Sequence, residues 1–124
     1  MTLSFGTAHA ANINLPVEDY PNPLLKHAKH VADATLTGTI EVLNLGGPLI
    51  VLETPDHQRV TVYSAPTMDT DLKQQLRDLE AKKAQVRVAG SLINVCSPEL
   101  YKAQPEKAVC EVFDKSKKVS FEVL

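Results

Sequence analysis

A chain of 124 residues with 15 acidic and 13 basic side chains, net charge −2 and 44% apolar content has the size of one domain with one core. That charge balance gives no electrostatic footprint for nucleic acid, and the apolar content argues against wholesale disorder. No apolar run approaches the roughly 18 residues of a membrane-spanning helix, so no membrane insertion is expected.

The first residues read as the end of an export signal. Leu3-Ser4-Phe5-Gly6-Thr7 leads into Ala8-His9-Ala10-Ala11, a small-x-small pattern with cleavage after Ala10, although no Lys or Arg precedes Lys26. Residues 1–10 are therefore expected to be a signal-peptide remnant, and the protein to be periplasmic or secreted. Residues 11–33 form a lead-in in which Pro16, Pro21 and Pro23 break regular structure. Within it, 24–32 suits a short helix, with Pro23 at its first position and Asn22 as its cap. Leu24, Leu25, Ala28, Val31 and Ala32 then fall along one stripe.

From Ala34 onward the periodicity changes to strands. Over 34–43, Leu36, Ile40 and Val42 alternate with Thr35, Thr37, Thr39 and Glu41, and Gly38 on the inward row marks a bend. Gly46-Gly47 carries the next turn; 49–53 is a continuous apolar strand, and 59–64 alternates, with Val60 and Val62 inward. Met68, Leu72, Leu76 and Leu79 recur at helical spacing, predicting a helix over 69–83 with Asp69 or Thr70 as cap and Lys82-Lys83 at the negative end of its dipole. Alternation resumes over 85–95, and a terminal strand pair follows over 108–113 and 118–124, joined by the turn Asp114-Lys115-Ser116-Lys117. The expected fold is mainly β: a small antiparallel barrel of five to six strands over 34–124, one helix between strands 3 and 4 plugging one end, and a short N-terminal helical lead-in.

Cys96 and Cys110 bracket a polar segment. Their spacing matches neither a zinc site nor a C-x-x-C redox site, and in an exported protein a disulfide is the simplest pairing. Nothing adjacent in sequence depresses a thiol pKa, so neither cysteine reads as catalytic.

The layout, with Leu36-Thr37-Gly38-Thr39-Ile40 in the first strand and Val86-Arg87-Val88-Ala89-Gly90-Ser91-Leu92 after the helix, resembles small bacterial exported OB-fold proteins over residues 34–124. That resemblance implies a ligand- or partner-binding protein and no enzyme.

Residues that could carry chemistry are few. His27 and His30, three apart, would share a helix face and could chelate a metal, with His57 or His9 as a third ligand; interleaved Lys26 and Lys29 favour a solvated basic face instead. Ser64, Ser91 and Ser97 lack a patterned base, and Glu41, Glu53 and Asp56 lie on different edges, so no catalytic set and no cofactor is expected. Single-stranded nucleic acid would need aromatic platforms over a basic groove; only Tyr63, beside Arg59 and Thr61, is positioned for that, with Arg87 on the same face. The reading favoured is recognition of a protein partner or small ligand by the turns at 44–48 and 55–58 and the segment 97–109. Leu100 and Tyr101 are its apolar anchors. A periplasmic metal-binding protein and an accessory subunit of an envelope or toxin assembly are the rivals.

Overall fold

The computed structural model describes residues 11–19, 26–44, 47–103 and 110–124. In chain order the elements are β1 (Ala11–Asn14), β2 (Lys29–Asn44), β3 (Pro48–Glu53), β4 (Arg59–Ser64), α1 (Thr70–Lys82), β5 (Val86–Asn94), α2 (Pro98–Ala103), β6 (Glu111–Phe113) and β7 (Ser120–Val123). The protein is mainly β with one main helix, and no described helix is long and apolar enough to cross a membrane.

The strands form one seven-stranded sheet, ordered β1-β7-β5-β2-β3-β4-β6, rather than a clean barrel of five or six. Strand β6 also pairs with β5, so five strands return on themselves while β7 and β1 extend outward from β5. The pairing is not wholly antiparallel either: β4 and β6 run parallel, meeting at Thr61 and Val112.

Strand β2 makes this closure possible. Its first part, Lys29 to Gly38, pairs with β5, and from Thr39 to Asn44 it pairs with β3. Gly38 is the hand-over residue, and a Cβ there would lie 2.0 Å from the Glu53 carbonyl oxygen. Only glycine admits that backbone approach.

Strand β5 is likewise shared. Val86 to Ala89 pair with β7, and Leu92 to Asn94 pair with β6. The two C-terminal strands therefore do not form the expected hairpin with each other. The Asp114 amide donates to the Ser91 carbonyl at 2.8 Å, and the Asp114 carboxylate accepts from the Ser116 amide at 3.0 Å. Those bonds turn the chain from one half of the β5 edge to the other.

The helical lead-in is not observed among the described residues. Residues 26 and 27 form a turn, 29–32 belong to β2, and 20–25 lie outside the described residues, as do 1–10. The β2–β5 ladder starts at Lys29↔Asn94, and main-chain pairing with β5 outcompetes a two-turn helix that is too short to hold itself. Strand β1, at the other end of the lead-in, pairs with β7.

Helix α1 follows its sequence closely. Asp69 caps it, its carboxylate accepting from the amides of Asp71 at 3.1 Å and Leu72 at 3.3 Å, and Lys83 ends it in the left-handed region. Leu76 is fully buried, with Met68, Leu72 and Leu79 packed beside it on the core of Ile50, Leu52, Val60, Val62, Val86, Val88 and Phe121. The Glu80 carboxylate accepts the Val42 amide at 2.9 Å, docking the helix onto β2.

Candidate functional site

Cys96 and Cys110 are joined as a disulfide, their Cα atoms 5.2 Å apart. Cys110 is fully buried beside β6 and Cys96 is half-buried just after β5, so the bond holds the start of the intervening segment against the sheet. Within that segment α2 is short; the Leu100 amide donates to the Ser97 hydroxyl at 3.2 Å, and Leu100 itself is 47% exposed. Tyr101 lies on α2, its side chain outside the described residues.

Facing α2 is the start of β2. Ala28 packs on Ile93, Val95 and Val112, a small satellite core that fixes the turn at 26–27 and sets Lys29 opposite Asn94. Between these parts lies a cleft of about 290 Å³ lined by Lys26, His27, Ala28, Lys29, Asn94, Cys96, Pro98 and Lys102. Among the described residues no carboxylate stands within ion-pair distance of its three lysines. The Asn94 side-chain oxygen accepts the Cys96 amide at 3.0 Å, which leaves the amide hydrogens of Asn94 free to donate elsewhere.

A second concavity, about 380 Å³, spans Thr39, Glu41, Glu53, Arg59, Glu80 and Lys83, but its charges are largely engaged. Arg59 pairs with Glu41, His57 with Glu53 at 3.1 Å, and Glu80 holds the Val42 amide. The Asp56 carboxyl in the adjoining turn is held below its ordinary pKa, first by the hydrogen bond from the Thr54 hydroxyl.

No protein-family model, no curated protein and no solved structure matches this chain.

The sequence-derived site residues separate in space. His27 and His30 do not share a helix face: His27 sits in the turn and lines the cleft, while His30 lies on β2 with its ring 3.0 Å from the Ser91 hydroxyl and 4.0 Å from the Asp33 carboxylate. Extended backbone in place of a helix is the reason. Among the described residues no group of three His, Cys, Asp or Glu side chains could hold a metal ion.

Tyr63 is a second correction, for it is buried at 2% exposure and offers no stacking platform. The β3–β4 register slips between Ile50 and Val51, which pair with Tyr63 and Thr61, leaving Val62 as an extra residue in β4. That bulge breaks the two-residue alternation, so Val60, Thr61, Val62 and Tyr63 are all buried. Lys115, also buried, donates to the Ser64 carbonyl at 2.6 Å and lies 5.8 Å from the centre of the Tyr63 ring. Burial first, and then the neighbouring Glu18 carboxylate, favour the protonated Tyr63 hydroxyl and push its pKa up.

The cleft lysines escaped sequence reasoning because Lys26 and Lys29 read as a solvated face. A hint was present: Lys102 lies six residues beyond Cys96, inside the bracketed segment.

Proposed function

We propose that this chain is an exported, non-catalytic binding module on an OB-like barrel, recognising a protein partner or small ligand through its loops. The observation that carries this reading is the cleft against the disulfide-tethered segment, where side chains from the start of β2, the end of β5 and α2 converge. Recognition residues on loops held by a rigid sheet are the usual arrangement of small barrels. The OB-like reading is supported by the ring β5-β2-β3-β4-β6 and by α1 lying between the third and fourth of its strands in chain order. The disulfide suits an oxidising compartment outside the cytosol.

Native mass spectrometry after incubation with an envelope extract of the source organism tests the reading. A species retained by the wild type and lost by Leu100→Ser is expected. Equal retention by both proteins, or chemical turnover of the retained species, refutes it.

A further inference from the structure

We propose that the cleft beneath α2 binds a small organic ligand through a phosphate or sulfate group. This rests on the reading that recognition runs through the tethered segment, and it names the ligand's chemistry.

The first ground is charge. The chain as a whole is acidic, at −2, yet Lys26, His27, Lys29 and Lys102 line one concavity that has no carboxylate among its described lining residues. Three ammonium groups held around one space repel one another, and an oxyanion placed between them relieves that repulsion. The second ground is hydrogen bonding. Because the oxygen of Asn94 is occupied by the Cys96 amide, the side chain has its donors left over, which match an anion and not a cation.

Lysines bind phosphate as compact point charges, and the several oxygens of a tetrahedral group can share three of them. Size narrows the rest of the ligand. A cleft of about 290 Å³ sits at the lower edge of the roughly 300–1,000 Å³ range of small-molecule sites, which leaves room beyond a bare ion. Ala28, Pro98 and Cys96 supply apolar wall for that remainder, which points to a body of about monosaccharide size.

The lysines and His27 are exposed, so binding is sensitive to ionic strength. Calorimetric titration of the disulfide-bonded protein at low salt, with glucose 6-phosphate, glucose 6-sulfate and plain glucose as probes, is the test. At least one ester is expected to bind about tenfold or more tighter than glucose, and to lose about tenfold in the Lys26→Ala/Lys102→Ala variant. Lys73→Ala/Lys82→Ala, which removes the same charge from α1, is expected to change the affinity less than about twofold. Circular dichroism establishes that both variants fold. Esters that bind no better than glucose, or equally well to the Lys26/Lys102 variant, overturn the inference. If retention of an extract species still depends on Leu100 while neither ester binds, the ligand class alone is wrong. If retention is indifferent to Leu100 as well, the recognition reading falls with it.

Discussion

Replacing Gly38 by Ala probes the hand-over of β2 between its two partners. A Cβ at this position would stand 2.0 Å from the Glu53 oxygen, 2.8 Å from the Glu53 carbonyl carbon and 3.1 Å from the Thr54 Cα. All three are backbone atoms, so no side-chain rotation relieves the clash. Strand β3 must withdraw by about an ångström, straining the Thr39↔Glu53 end of its ladder with β2. Overpacking of this kind costs about 1–3 kcal/mol, and a loosened ladder hydrogen bond adds about 1 kcal/mol. The lower chain entropy of unfolded alanine returns about 0.4–1 kcal/mol. The net expectation is a loss of about 1–3.5 kcal/mol, measured by urea unfolding with the disulfide intact. Gly90→Ala is the internal control, because its Cβ would meet only the Phe113 ring edge at 3.3 Å and Val119 at 3.5 Å and beyond. A Gly38→Ala protein as stable as Gly90→Ala would refute the close approach of β3.

Leu76→Ala removes a fully buried side chain from beneath α1 and is expected to cost about 2–5 kcal/mol in the same assay; a loss under about 0.5 kcal/mol would place that stripe in solvent. Free-thiol labelling of the native protein should detect no cysteine, and reduction should lower stability by about 3 kcal/mol, given a separation of 14 residues; two labelled thiols would contradict both. Tyr63 should remain neutral in the folded protein well above the ordinary phenol value of about 10. Its raised pKa contributes stability that is complete below that value and lost as pH climbs above it. Alkaline absorbance titration should therefore show a late component, coincident with unfolding, that Tyr63→Phe abolishes; a Tyr63 signal in the ordinary range would contradict its burial.

Periodicity and capping made α1 legible to within a residue or two, because Asp69, the leucine stripe and Lys83 act locally. The strand cores over 34–43, 49–53, 59–64 and 85–95 were legible for the same reason. What sequence concealed was partnership. Whether residues 29–32 join a helix or a strand depends on Asn94, Ile93 and Leu92, sixty or more positions away. Whether Tyr63 faces outward depends on a bulge at Val62 that nothing in Arg59-Val60-Thr61-Val62-Tyr63 announces. The paired cysteines were legible, but the cleft beside them was not. Its lysines come from the turn before β2, from the first residue of β2 and from α2, places that only the Lys29↔Asn94 register and the disulfide bring together.

The late position of β6 in the chain has a consequence for how the molecule assembles. Strand β4 and the outer rim of Leu92 to Asn94 both wait for Glu111–Phe113, a three-residue strand near the C-terminus. Until it arrives, two apolar edges stand open to any other extended chain. A polypeptide released without its last fifteen residues would thus lack the latch itself, and should accumulate as aggregate instead of as a smaller soluble fold.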